Sequence, residues 1–124
     1  MGMGEQPDVA VREKERYTLL TLRGDLSKEA ETALLGARPW ESGLEGGKTA
    51  LVIDFSDVAY INSAGIAALI RLVRAGRAGG FRTYAFGVNP HYQKLFRMVG
   101  LTEWMAIYPS EYAAAERIEE ESAL

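Results

Sequence analysis

A serine hydroxyl lies at the predicted start of a helix in the middle of the chain. Asn62 and Ser63 are both residue types that favour the helix N-cap. The residues that follow place apolar side chains along one helix face, at Ile66, Leu69, Ile70 and Val73. Because the first N–H groups of a helix are unpaired and its dipole is positive there, a phosphate on Ser63 would be stabilised. The spacing is equally that of a serine that only caps the helix.

Two carboxylates precede this serine in the chain. Asp54 and Asp57 bracket the segment before Ser63, where they could pair or hold a cation through oxygen ligands. A small nucleotide-binding protein or enzyme built on this chain would depend on these three residues. Aspartates in loops also bond nearby backbone N–H groups, and we expect that role for both of them.

Other enzyme motifs are incomplete. His91 is the one histidine and cysteine is absent, so no imidazole- or thiolate-rich zinc site can form. Ser63 lacks a Gly-x-Ser-x-Gly setting, because Ile61 holds the first glycine position. The segment 43–49 ends in Gly-Lys-Thr, but it precedes a predicted strand, whereas a phosphate loop follows a strand and opens a helix. We therefore predict no catalytic residues, no metal and no cofactor.

Composition points to one ordinary domain. The chain has 124 residues, of which 48% are hydrophobic and 25% charged, with a net charge of −3. That charge gives no case for nucleic-acid binding, and no apolar run approaches the roughly 20 residues that cross a membrane. Residues 1–7 lack the basic and apolar regions of a secretory signal, so we expect a tail there and a cytoplasmic protein.

Hydrophobic periodicity predicts the order β-β-α-β-α-β-α-β-α, typical of a layered α/β domain. The predicted strands are 8–12 (an edge strand paired as a hairpin with the next), 17–23, 50–53, 81–88 and 104–108. A polar connection is expected over 54–60. The first predicted helix begins after the cap Ser27, and the second begins at Asn62 or Ser63, either of which could cap it, and ends at Gly79-Gly80. The third begins at Asn89-Pro90 with Asn89 as its cap, and the last begins at Pro109-Ser110.

Three further expectations concern the helix surfaces. The third helix should bury an apolar stripe at Leu95, Phe96 and Val99. The last helix should fray from Glu119, because acidic residues there oppose the helix dipole. The second helix carries three basic side chains in its C-terminal half, at Arg71, Arg74 and Arg77. They indicate either a solvated face or a surface for an acidic partner or a phosphate.

The segment 53–69 resembles the signature of STAS domains, and most of all the bacterial anti-sigma-factor antagonists. Their pattern is a strand that ends in aspartate, a short loop with an aromatic residue, Asp-Ser-Ser/Thr-Gly, and an apolar helix. Three more segments resemble the family: the turn at 24–26, the Gly79-Gly80 turn, and 95–101, which ends in Gly-Leu. The similarity extends over about 9–118.

The resemblance implies a single domain over 8–118, with a tail at 119–124. The fold would be a mixed four- to five-stranded sheet with about four helices, mainly on one face. Ser63 occupies the position of the family's phosphoacceptor. The unmodified protein would bind a protein serine kinase that is also an anti-sigma factor, and a serine phosphatase would reverse the modification. The implied contact residues are Gly24, Asp25, Leu26, Ser27, Asn62, Ser63, Ala64 and Gly65. ATP and magnesium would belong to the kinase.

Three positions depart from the family pattern. Asn62 replaces the motif aspartate, Ser27 replaces a second acid, and Ala64 replaces a small hydroxyl residue. An alternative therefore stands beside the first hypothesis. The chain would be a STAS adaptor that is never phosphorylated, a constitutive scaffold in a signalling or transport complex.

Overall fold

A five-stranded mixed sheet forms the centre of the structure, a computed structural model that describes residues 7–123. The predicted tail 1–7 lies outside the described residues except for Pro7. The strands lie side by side in chain order: β1 (Asp8–Glu13), β2 (Thr18–Arg23), β3 (Ala50–Asp57), β4 (Arg82–Phe86) and β5 (Met105–Tyr108). β1 pairs with β2 in the antiparallel direction, and the remaining neighbours are parallel. The predicted α/β class with a mixed sheet is confirmed.

Burial follows the position of each strand in the sheet. β1 lies at the edge and alternates exposed and half-buried side chains, with Val9 and Val11 turned inward, as predicted. A bond of 2.9 Å from the Lys14 N–H to the Tyr17 carbonyl closes the hairpin. β3 lies in the middle, and its first four residues are buried because both faces of the sheet are covered there.

Within residues 7–123, four α-helices cover the sheet: α1 (Ala30–Leu35), α2 (Ser63–Ala78), α3 (Pro90–Met98) and α4 (Glu111–Ser122). The larger core packs α1, α2 and α3 on one face, with Leu34, Leu69 and Phe96 among the buried side chains. The smaller core packs Ala114 and Ile118 of α4 on the other face. The prediction of helices mainly on one face is confirmed.

Three of the four predicted helix starts are confirmed, and of the two cap candidates for the second helix the structure selects Asn62. The side-chain oxygen of Asn62 accepts the N–H of Gly65 at 3.1 Å. Asn89 caps α3 with Pro90 at its first position, and Ser110 caps α4. Each of these caps needs only a side chain and the backbone three residues on, so local sequence is sufficient to predict it.

The prediction of a first helix capped by Ser27 is wrong. α1 begins at Ala30 and has six residues. The carbonyl of Ser27 accepts the Ala30 N–H at 2.9 Å, while its hydroxyl donates to Glu29 at 3.2 Å. Ser27 therefore closes a turn ahead of the helix instead of capping it.

The third strand is longer than predicted, and the polar connection expected at 54–60 is partly wrong. β3 continues to Asp57 because Asp54 pairs with Phe86 of β4 and Asp57 pairs with Arg23 of β2. Phe55 turns inward. The Phe55 ring packs edge-on against Phe96, with 5.7 Å between the ring centroids. The expectation that Val99 is buried is also wrong, since 44% of Val99 is exposed.

The last helix extends beyond the point where fraying was expected. α4 runs to Ser122. Glu121 accepts a hydrogen bond from the Tyr84 hydroxyl, and Arg117 Nε lies 3.1 Å from its carboxylate. Burial and the neighbouring Glu121 raise the pKa of Tyr84, so the phenol stays protonated and donates this bond. Long-range pairing of Glu121 therefore offsets its unfavourable place in the helix dipole.

A carboxylate links the first hairpin to the segment before β3. Glu13 accepts hydrogen bonds from Lys48 Nζ at 2.7 Å and from Thr18 Oγ1 at 2.8 Å. Burial raises the pKa of Glu13, but the bonds from Lys48 and Thr18 outweigh it and hold the pKa below the usual value of 4.5. A lowered pKa stabilises the fold above that ordinary value, and the stabilisation is lost as the pH falls through the lowered pKa.

We expect Glu13→Gln to destabilise the protein by about 1–2 kcal/mol at neutral pH, because Lys48 and Thr18 lose a charged acceptor. The deficit relative to wild type should shrink as the pH falls from 4.5 through the lowered pKa of Glu13, because the unfolded chain takes up a proton there before the folded protein does. Urea denaturation over a pH series measures this. Glu15→Gln is the matched control, since Glu15 is exposed in the adjacent turn. A deficit that stays constant with pH would contradict the assignment.

Candidate functional site

Two segments distant in the chain meet at the N-terminus of α2. The Leu26 N–H donates to the Tyr60 carbonyl at 2.9 Å, and the Asn62 N–H donates to the Leu26 carbonyl at 3.1 Å. Leu26 and Ile61 thereby form an isolated parallel bridge. The structure thus places the turn 24–27 beside the first turn of α2, so the two halves of the predicted contact surface adjoin each other.

A glycine makes this approach sterically possible. A Cβ on Gly65 would lie 2.2 Å from the carbonyl oxygen of Leu26 and 2.9 Å from its Cβ. Both distances are shorter than van der Waals contact, so a larger residue would push the turn away from α2. Gly24 fixes the other end of the turn: its φ is 87°, and its N–H donates to the Asp57 carbonyl at 3.2 Å.

Ser63 is the first residue of α2 and is exposed. Asn62 already pairs with the Gly65 N–H, and the Asn62 carbonyl accepts the Ile66 N–H at 3.0 Å. The N–H groups of Ser63 and Ala64 have no acceptor within the helix, as in any first turn. A phosphoryl group on Ser63 would therefore meet free donors and a positive dipole without any rearrangement of the core.

Tyr92 of α3 contacts the segment that leads into α2, a role that was not predicted from the sequence. Its ring is buried, and its hydroxyl accepts the Ile61 N–H at 2.9 Å. The available signal was the spacing of Tyr92 and Phe96, which places both on one face of a helix capped by Asn89. The bond to Ile61 itself depends on tertiary packing.

The other candidate residues have local roles. Asp54 accepts the Ser56 N–H at 2.8 Å, which is the expected local backbone bond, although both residues belong to β3 and not to a loop. Asp57 lies 3.6 Å from Arg23 and pairs with that side chain instead. Lys48 of the Gly-Lys-Thr segment is paired with Glu13, and the His91 ring lies edge-on to Tyr92. Over residues 7–123, no group of three His, Cys, Asp or Glu residues could hold a metal ion.

No helix in the described part of the chain is both long and apolar enough to span a membrane.

A family comparison agrees with this geometry. The family model described as "Mlab, STAS domain" matches residues 9–108. The chain belongs to the STAS domain family. The match contains the turn 24–27, the start of α2 and all four parallel strands, so the resemblance noted in the sequence is confirmed. No curated protein sequence matches the chain.

Solved structures share this STAS fold. An anti-sigma factor antagonist from Mycobacterium paratuberculosis is 22% identical, with a TM-score of 0.70 over 91% of this chain and 94% of that one. SpoIIAA, a Bacillus cell-fate determinant, has been solved in its phosphorylated form, which is 22% identical with a TM-score of 0.65 over 89% of this chain and 98% of that one. At these identities, the likeness concerns the fold.

The same fold also occurs inside a transporter. The murine anion transporter Slc26a9 matches with 17% identity and a TM-score of 0.69. The match covers 88% of this chain but 18% of the transporter, so it corresponds to one part of that larger protein. This fold therefore occurs both as a small protein and as a part of a larger one.

We expect Gly65→Ala to destabilise the protein by about 1–3 kcal/mol, because the added methyl group overlaps the Leu26 carbonyl. It should also break the bond from the Asn62 N–H to Leu26, which amide hydrogen exchange would report as faster exchange at Asn62. Ser63→Ala is the control: Ser63 is exposed in the same first turn of α2, so the stability of this variant should stay within about 0.5 kcal/mol of wild type. Unchanged exchange at Asn62 would show that the turn is not held by this contact.

Proposed function

We propose that this protein is a non-catalytic regulatory binding domain of the anti-sigma-factor-antagonist type. Its unmodified form binds a protein serine kinase that is also an anti-sigma factor. The contact surface consists of the turn 24–27 and residues 62–65, which we call the switch surface. Phosphorylation of Ser63 releases the kinase, and a serine phosphatase restores binding. ATP and magnesium belong to the kinase.

The observation that carries this proposal is the position of Ser63. Its side chain is exposed at the N-terminus of a 16-residue helix, beside a turn that is bonded to the same helix end. A phosphate there is stabilised within the domain, so modification leaves the fold intact. Its charge of about −1.5 to −2 acts on the partner instead, through repulsion and the cost of removing water from a dianion at an interface.

The comparisons support this proposal through the fold. The anti-sigma factor antagonist from Mycobacterium paratuberculosis aligns over nearly its whole length, and SpoIIAA is a protein of this fold that carries a phosphate. A small, single-domain antagonist is therefore consistent with the length and architecture of this chain.

A phosphorylation-independent adaptor is the second candidate, and two side chains favour it. Asn62 uses its oxygen to cap α2 and brings no charge, and Ser27 uses its hydroxyl and carbonyl within its own turn. Neither supplies the acid found at these positions in the family pattern. In this alternative, the same surface holds a partner constitutively in a signalling or transport complex.

The deciding experiment is affinity capture from a lysate of the source organism, with wild type, Ser63→Ala and Ser63→Asp as baits. We expect wild type and Ser63→Ala to recover a kinase-type ATPase, identified by mass spectrometry. Ser63→Asp should recover at least about tenfold less, which corresponds to about 1.4 kcal/mol of binding free energy. Incubating the recovered complex with ATP and magnesium should place phosphate on Ser63 of the wild type and on no residue of Ser63→Ala.

Ser42→Asp controls for the added charge, since Ser42 is exposed and lies away from α2's N-terminus. It should recover the kinase as well as wild type does. Equal recovery of the same partners by all the baits, with no phosphate on Ser63, would replace the switch by the constitutive adaptor.

We also expect Ser63→Asp to leave stability unchanged or to raise it by about 0.3–1 kcal/mol, because a negative charge at a helix N-terminus is favourable. Thermal or urea unfolding measures this. If stability rises or stays the same while capture of the kinase weakens, the substitution acts at the interface with the partner. A loss above 1 kcal/mol would mean that reduced capture reflects unfolding.

A further inference from the structure

A second surface lies on α2, toward its C-terminal end. A groove with a volume of about 300 Å³ separates this half of the helix from the segment 99–104. Its apolar lining includes Val73 and Leu101, and Val99 and Trp104 form its outer wall. On the helix side, Arg74 and Arg77 border it. We call this surface the basic groove.

The outer wall of the basic groove is apolar and open to solvent. Trp104 is 48% exposed and Val99 is 44% exposed. Val99 lies where the helical pattern predicted a core residue, but α3 buries Tyr92 and Phe96 instead. Large apolar side chains gathered at the mouth of a groove are characteristic of a binding surface, whereas scattered ones are not.

The charges on the groove are of one sign. Arg77 lies over the Trp104 ring, with its guanidinium carbon 4.0 Å from the ring centroid. Neither Arg74 nor Arg77 has a carboxylate within 4.0 Å among the described residues, whereas Arg71 on the same helix pairs with Glu31. Glu103 lines the adjoining cleft but not the groove. Two arginines beside an exposed tryptophan thus remain available to carboxylates.

We propose that the basic groove binds an acidic amphipathic helix of a partner protein. Apolar residues of that helix would contact Val73, Val99 and Trp104, and its carboxylates would pair with Arg74 and Arg77. This is the helix-in-groove mode, with charge complementarity selecting an acidic segment. The groove lies about 16 Å along the helix from Ser63, at 1.5 Å per residue. It is therefore separate from the switch surface and does not depend on Ser63.

The full-length protein can be tested with designed peptides and tryptophan fluorescence. The acidic peptide carries leucines at i, i+3, i+4 and i+7, flanked by glutamates, and a matched peptide carries glutamine for each glutamate. Trp104 is exposed and Trp40 is buried, so a change in emission that disappears in Trp104→Phe reports the groove. We expect the acidic peptide to shift this emission and to bind at least about tenfold more tightly than the glutamine peptide, with weaker binding at high salt.

Substitutions on α2 test whether the peptide binds in the basic groove. The double variant Arg74→Gln/Arg77→Gln should lose the preference for the acidic peptide, while Arg71→Gln should keep it, because Arg71 is paired with Glu31 and does not line the groove. Ser63→Asp should also bind the peptide normally, which separates this site from the proposed switch. Far-UV circular dichroism and thermal unfolding check that each variant is folded.

Three results would overturn the proposal. Equal affinity for the acidic and glutamine peptides would mean that the arginines do not favour an acidic partner. A change in Trp104 emission with vesicles of anionic lipid, and none with the acidic peptide, would mean that the groove binds a membrane surface. Self-association in sedimentation experiments that Arg74→Gln/Arg77→Gln abolishes, with no peptide binding, would assign it to a second copy of this chain.

Discussion

The contact between Gly65 and the Leu26 carbonyl is the constraint on which the candidate site depends. It joins the turn after β2 to the start of α2, and its two residues lie 39 positions apart in the sequence. The missing side chain lets two backbone hydrogen bonds form there, from Leu26 to Tyr60 and from Asn62 to Leu26. These bonds also hold the loop between β3 and α2, and that loop sets where Ser63 emerges. A steric property of one residue thus determines the geometry of the whole surface.

One helix carries two surfaces of different chemistry. At its N-terminus, α2 offers N–H groups and an uncharged cap at Asn62, so the local field favours an anion. At its other end, Arg74 and Arg77 border an apolar groove. The inner face of the same helix is buried against the sheet, which fixes the separation and relative orientation of both surfaces. Burial of one face therefore makes α2 a rigid support for the two proposed binding surfaces.

Local interactions were predictable from the sequence, and non-local ones were not. The caps at Asn62, Asn89 and Ser110 involve residues three apart, and all three lie at helix starts that the sequence predicted. The start of α1 was missed because the bridge from Leu26 to Ile61 determines the path of the chain through Ser27. β3 was predicted too short because its last residues are ordered by pairing with neighbouring strands. The basic groove likewise arises where α2 meets the segment after α3, which no local pattern specifies.

The uncharged Asn62 has an energetic consequence for any anion at Ser63. A carboxylate at this position would cap the helix equally well, but it would repel a neighbouring phosphate dianion across a few ångströms. The amide keeps the cap, as its 3.1 Å bond to Gly65 shows, and removes that repulsion. The donors of the first turn then act on the phosphate without opposition from the residue beside it. In the proposed phosphorylated state, Asn62 would therefore oppose the dianion on Ser63 less than an aspartate in its place would.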